Sequence, residues 1–437
     1  ILREQFYLGV SMVDYLSPQT ITDVVADGIF AQAEYDSDFN SNLGSIAHVD
    51  VESAGDSFVV HFKPTFGSIF TANAEQVAVL NSAQGMLHWT SPRAHQAHTS
   101  FNIPEFEGDV PYSPSLFAAA RTLHGNRPAL YAPQRNGETP VLVLDTPPPT
   151  PNSRRALTHG IPYLLPTMDI RRALRAYAAA TGLGIYETDT TISFSDGTDL
   201  TLEDNLIKCI SGDFSLDDFR ADAFYFNVEQ QLLFDALYPN SPATPTAQFD
   251  PVTSLLTLFS QFEAGRPALT VHAMVLATVR DDTWTWAWAS NLPPHLQQAS
   301  LKLRETGAHL GIPAFLYPQL PVSLAESWGV LTAVKPPLQR WIHTAVPLGD
   351  GTTGVLLFDH PELRLPTATT DALHATLQTP LPAELDARQA VRSYARLRGV
   401  NSSFDQLEEH AIVHAPEAPI HVTFDGDHHL LRTELPV

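Results

Sequence analysis

The 437-residue chain has one cysteine, Cys209, and four lysines, Lys63, Lys208, Lys302 and Lys335. A single thiol cannot close an internal disulfide and cannot build a thiolate metal site alone, so a disulfide scaffold and a cysteine-based zinc site are excluded. No stretch approaches the roughly 20 consecutive apolar residues of a membrane helix, and the N-terminal residues lack the basic region, apolar run and small-residue cleavage site of a signal peptide. A cytoplasmic location without a membrane partner is expected. Positive charge is scarce: 25 Lys+Arg against 48 Asp+Glu leave a formal charge of −23. An acidic surface repels phosphate backbones, and no basic run, aromatic-plus-basic motif or zinc-finger spacing offsets it, so nucleic acid is not an expected partner. The nucleophile-elbow, P-loop, zinc-helix and calcium-loop patterns are absent as well, and no cofactor is expected.

With 44% apolar residues and 9% aromatics, the chain buries enough surface to offset the entropy of ordering. Prolines number 35 and cluster between apolar runs, which predicts many ordered turns and argues against long uninterrupted helices.

The strongest signal is internal repetition. Asp169-Ile-Arg171-Arg-Ala173-Leu-Arg175-Ala-Tyr177-Ala178, ending at Gly182, matches Asp386-Ala-Arg388-Gln-Ala390-Val-Arg392-Ser-Tyr394-Ala395, ending at Gly399, at seven positions with a constant offset of 217 residues. Further matches follow in chain order. Phe6-Tyr7 and Val10 parallel Phe224-Tyr225 and Val228; His124 with Pro128–Tyr131 parallels His309 with Pro313–Tyr317; Val141–Asp145 parallels Val355–Asp359; and Ile192–Phe194 with Asp196-Gly197 parallels Val422–Phe424 with Asp425-Gly426. Two tandem units are predicted, 1–220 and 221–437. Both are acidic: 13 basic and 26 acidic residues in the first, 12 and 22 in the second.

Asp169 and Asp386 read as helix N-caps and Gly182 and Gly399 as stops, while Pro293-Pro294 opens a helix over Leu296–Leu310 that Gly311-Ile312-Pro313 closes. Strands are predicted at Ser57–Phe62, Leu255–Phe259, Thr270–Ala277, Val355–Phe358 and Ile420–Phe424 from period-two alternation bounded by turn residues. The expected class is α+β, each unit a mainly antiparallel sheet packed with helices.

The candidate binding residues come from Thr283-Trp284-Thr285-Trp286-Ala287-Trp288-Ala289-Ser290-Asn291-Leu292-Pro293. Strand alternation would place Trp284, Trp286 and Trp288 on one face, either as core or, with Asn291, as the aromatic wall of a cleft. Trp89 aligns by sequence with Trp288, leaving Leu87 and Gly85 opposite Trp286 and Trp284. The Trp-x-Trp-x-Trp-Ala-Ser-Asn stretch, followed by Leu303-Arg304-Glu305-Thr-Gly307 and Gly311-Ile312-Pro313, resembles an uncharacterised bacterial domain family marked by a tryptophan-rich "WAWAN" strand. The likeness covers about Phe224–Gly399 and departs from the family where Ser290 stands for Asn. It implies a fold unit and a bacterial origin and assigns no catalytic residue.

Other motifs read as structure. Gly349-Asp-Gly351-Thr-Thr-Gly354 fits the dinucleotide pattern by letter, but a strand follows it where that site needs a helix, so it reads as a hairpin turn. His95 with His98, and His421, His428 and His429 beside Asp425 and Asp427, read as surface histidines with no metal assigned. Asp145 and Asp359, each followed closely by proline, read as turn residues. With no catalytic constellation and two acidic halves, the expected function is a non-enzymatic protein-binding module of immunity or inhibitor type acting on a basic partner, through complementary charge. The alternatives are a small-molecule binder or enzyme using the tryptophan face, and a structural or viral-shell assembly protein.

Overall fold

A computed structural model describes residues 17–54, 57–134, 137–238, 247–259, 268–427 and 429–435. The chain divides into two compact units, Ile1–Ser211 and Gly212–Val437. The break falls ahead of a helix that residue 220, the sequence-based boundary, would cut. The paralleled Phe6-Tyr7 and His428 lie outside the described residues.

The first unit opens with α1 (Ile21–Leu43). No proline interrupts it, and Thr20 and Asp23 form a reciprocal capping box at its start. Its 23 residues contradict the expectation of short helices: the prolines gather in the connections and leave this segment free. There follow β1 (Ile46–Ala54), β2 (Ser57–Pro64), β3 (Phe70–Asn81), β4 (Met86–Trp89), α2 (Pro92–Phe101), β5 (Asp109–Pro111), α3 (Pro114–Leu123), β6 (Ala129–Tyr131) and β7 (Glu138–Leu144). The sheet runs β1-β2-β3-β4-β5, with β7 joining β3 to β6, and every pairing is antiparallel. Next come α4 (Ser153–Gly160), α5 (Ile170–Thr181) and a four-stranded antiparallel sheet of β8 (Ile185–Glu187), β9 (Thr191–Phe194), β10 (Asp199–Glu203) and β11 (Leu206–Ile210). Asp169 caps α5 by accepting the Arg172 N–H, and Gly182 ends it with a φ of 74°, a left-handed turn that glycine adopts without a Cβ penalty. Helix α1 packs on α3, α4 and α5. The sheet closes over Val60, Phe62, Leu142 and Leu144 at one end and Val77, Leu87, Leu116 and Val141 at the other.

The second unit begins with α6 (Leu216–Leu237), also long, proline-free and opened by a capping box, here Ser215 with Asp218. Then come β12 (Ala247–Asp250), β13 (Leu255–Leu258), β14 (Leu269–Arg280), β15 (Thr283–Trp286), α7 (Pro294–Leu310), β16 (Gln319–Pro321), the short helices α8 (Val322–Ser327), α9 (Val330–Ala333) and α10 (Lys335–Leu338), β17 (Ile342–Gly349) and β18 (Thr352–Phe358). Its sheet has the strand order β12-β13-β14-β15-β16 with β18 joining β14 to β17. Gly349, Asp350 and Gly351, all at positive φ, make the β17–β18 hairpin turn. The unit ends with α11 (Thr370–Leu377), α12 (Ala387–Leu397, capped by Asp386) and the antiparallel sheet β19 (Asn401–Phe404), β20 (His410–His414), β21 (Ile420–Phe424) and β22 (Leu430–Glu434). One core lies under Leu256, Val275, Leu356 and Phe358; another joins α6 and α12 to β20 and β21 through Tyr225, Val391, Tyr394 and Val422. The architecture is α+β with antiparallel sheets. Among the described residues, no helix is long and apolar enough to cross a membrane.

Candidate functional site

The three tryptophans do not share a strand face. Strand β15 ends at Trp286, and Ala287–Ala289 turn into a 3-10 helix that carries Trp288 away. Trp284 and Trp286 are buried, packed edge to face with ring centroids 5.6 Å apart, and Trp286 meets Phe315 in the same manner at 6.0 Å. The Trp286 indole N–H donates to the Ala314 carbonyl at 3.1 Å. Trp288 is half-buried under α7: Ser300 accepts its backbone N–H at 2.8 Å, and the Arg304 guanidinium lies 4.6 Å from its ring centroid, a cation–π contact. Asn291 is exposed. The segment therefore builds the interior of the second unit and the seat of α7, and no common aromatic wall forms. Gly307 marks how tightly α7 is seated, because a Cβ there would lie 2.8 Å from the Phe315 Cβ.

The alignment of Trp89 shifts by two residues. Trp89 stands opposite Ala78 and Trp286 opposite Ala277, each beside a bulge in the pairing with the next strand. The Trp89 indole donates to the Glu105 carbonyl at 2.8 Å, as that of Trp286 does to Ala314. These acceptors occupy matching turns, Ile103-Pro104-Glu105-Phe106 and Ile312-Pro313-Ala314-Phe315. Trp89 thus corresponds to Trp286, and Leu87 to Trp284. His124 and His309 do not correspond: His124 follows α3 and precedes β6, whereas His309 is in the last turn of α7.

The remaining sequence candidates take structural places. Asp145 pairs with Arg127 at 2.7 Å. His98 bonds the Ile103 carbonyl and Glu107, both at 3.0 Å, while His95 and His421 are exposed. His429 bonds Asp425, which raises its pKa, and the Ala383 carbonyl. Among the described residues no three His, Cys, Asp or Glu side chains converge as a metal site.

Several buried polar groups were not legible in the motifs. Each unit holds a glutamate from its first helix against a tyrosine from the repeated helix: Tyr177 donates to Glu34 at 3.0 Å and Tyr394 to Glu229 at 2.8 Å. Glu34 also accepts the Asn152 N–H at 2.6 Å. Glu229 has the Arg398 guanidinium at 3.0 Å, an ion pair not aligned as a hydrogen bond. Burial raises the pKa of both carboxyls and pushes the tyrosine hydroxyls up as well. Each glutamate lies 14 residues beyond its helix cap, a spacing that sequence comparison could have used. Ser91 and His124 form a buried pair at 2.8 Å, with the other His124 nitrogen on the Ala120 carbonyl at 2.7 Å. Because Ser91 also caps α2, this pair ties α2 to α3.

One surface feature differs in kind. The β2–β3 hairpin carries Phe66 at its tip, 91% exposed, with Ile69 57% exposed and Phe70 and Ile46 beside it. Ile46 reaches the hairpin because it pairs with Pro64. Phe70 is anchored on Phe39 of α1 at 5.8 Å, and Phe39 on Phe62 at 5.2 Å, so the apolar tip stands on an aromatic base. Between the tip and the end of α1 lies an open groove of about 340 Å³ lined by Asn42, Leu43, Pro64, Phe66, Ile69 and Phe70. A smaller cavity of about 90 Å³ adjoins it, with Asp38 on its wall.

The fold and these sites define an α+β protein with an apolar hairpin on an acidic unit. Residues 217–361, from α6 to just past β18, match the model of a family of unknown function (DUF6882). No curated protein and no solved structure matches the chain.

Proposed function

We propose that this chain is a non-catalytic cytoplasmic protein of the immunity or inhibitor type, which docks a basic protein through the β2–β3 hairpin of its first unit. The observation that carries the reading is the contiguous exposure of Phe66, Ile69 and Phe70 beside an open groove. Isolated exposed apolar residues are ordinary, whereas a contiguous patch over a groove with a polar rim is what interfaces use for their anchors. The chain's charge of −23 supplies the second half of the argument, since a field of one sign speeds encounter with a partner of the other and disfavours like-charged competitors.

We also infer that the two units are copies of one ancestral unit. Support comes from their identical strand order, the capping boxes on α1 and α6, the buried Glu–Tyr pair in each, and the matching Trp89 and Trp286 bonds. The test is affinity capture from native cytosol with the tagged chain, in parallel with Phe66→Ser. The reading expects a basic protein that wild type retains at low salt, that elutes as salt rises, and that Phe66→Ser loses. A partner held equally by the variant, or one that is acidic, contradicts it.

A further inference from the structure

Lys335 is completely buried in the second unit. Its ammonium position meets the Asn227 side-chain oxygen, the Trp341 carbonyl at 2.8 Å and the His343 Nδ1 at 3.1 Å. Those groups come from α6, the α10–β17 connection and β17. None of these partners is a carboxylate, so the site has hydrogen bonds without a counter-charge.

The first unit shows the matching site with its charge balanced. Arg121 lies eight residues ahead of Ala129, which faces Val143, and Lys335 lies eight ahead of His343, which faces Leu357. The Arg121 Nε donates to the carbonyl six residues on, Arg127, just as Lys335 donates to that of Trp341. Arg121 also makes a two-pronged pair with Asp36 at 2.7 and 2.8 Å. Counted from the helix caps Thr20 and Ser215, the position of Asp36 in α1 is that of Gln231 in α6. Where the first unit has an always-charged arginine paired with a carboxylate, the second has a titratable lysine and an amide.

We propose that Lys335 is a proton sensor built into the second unit, holding the α10–β17 connection on α6 when neutral and loosening it when charged. As a neutral amine it donates to Asn227 and Trp341 and accepts from a His343 Nδ1–H, so all three contacts persist without buried charge. As an ammonium it can no longer accept the His343 N–H, and it carries a charge with no carboxylate bonded to it in a buried site. The charged and titratable groups around it are few. Among the described residues the carboxylate whose field reaches it is Asp235 of α6, already engaged with Gln231 at 3.0 Å; His343 is on β17, and Lys302 of α7 bonds the Pro337 carbonyl at 2.9 Å. Burial lowers the Lys335 pKa from 10.5 to about 7 and that of His343 from 6.5 to about 3, so His343 stays neutral while Lys335 titrates. Between pH 7 and 10.5 the unfolded chain binds a proton that the native chain does not. Stability therefore rises with pH across that window, by up to about tenfold in the unfolding constant per pH unit, and the gain is lost as pH falls through 7.

Five of the six tryptophans, all but Trp89, belong to the second unit, so tryptophan fluorescence reports its unfolding. Urea unfolding of the full chain at pH 6.5, 7.5 and 8.5 compares wild type with Lys335→Met and Gln231→Glu. The wild-type midpoint is expected to climb with pH, and that of Lys335→Met to climb less. Gln231→Glu, which returns the carboxylate, is expected to be more stable than wild type at pH 6.5 and to flatten the climb. If Lys335→Met does not fold, Gln231→Glu decides alone. Three parallel pH profiles, or a Gln231→Glu chain no more stable than wild type at pH 6.5, overturn the proposal.

Discussion

At the residue scale, Trp284 and Trp286, which the sequence left open as core or ligand wall, act as packing. Trp286 is wholly buried, and its N–H is committed to Ala314. Truncation to alanine removes a large buried surface and opens a cavity, so Trp286→Ala is expected to cost about 3–5 kcal/mol in urea unfolding. The glutamate–tyrosine pairs give a second prediction. Tyr177→Phe takes one hydrogen bond from Glu34 while the Asn152 N–H remains, and a loss of about 1–3 kcal/mol is expected in the first unit. Isolated Asp and Arg positions were legible where they act locally: the caps Asp169 and Asp386 stand where the helix-start rule put them. Lys335 was not legible, because burial of a lysine depends on elements more than a hundred residues away, among them Asn227.

At the element scale, the periodic strands and the Pro294–Leu310 helix could be read from sequence, since alternation and punctuation by proline and glycine are local signals. The long helices α1 and α6 could not, because a chain-wide proline count says nothing about where prolines are missing. In the Trp-rich strand the core alternative holds for Trp284 and Trp286, but alternation gave no sign that Ala287–Ala289 would turn out of the sheet and take Trp288 off their face. The register of Trp89 differs because the turn before it is longer: four residues, 82–85, join β3 to β4, where two, 281–282, join β14 to β15, and residue spacing alone does not reveal that difference. The close seating of α7 gives the prediction at this scale. Gly307→Ala drives a methyl into the Phe315 side chain and the Ile312 carbonyl, and a loss of about 1–3 kcal/mol by overpacking is expected, read as a lower fluorescence midpoint.

At the scale of the whole molecule, two features of two acidic units with the same sheet topology carry the functional reading. The first unit exposes an apolar hairpin, and the second buries a lysine without its carboxylate. The acidity, and the residue matches behind the proposed duplication, were visible in the sequence; the hairpin was not, because Phe66 in a list of apolar residues carries no sign of its exposure. The most direct test of the docking reading is amide hydrogen exchange on the full chain, alone and bound to its captured partner. The account predicts protection of residues 62–72 and of the last turns of α1, with the 284–291 segment unchanged. Protection confined to 284–291, or to the second unit, would contradict it.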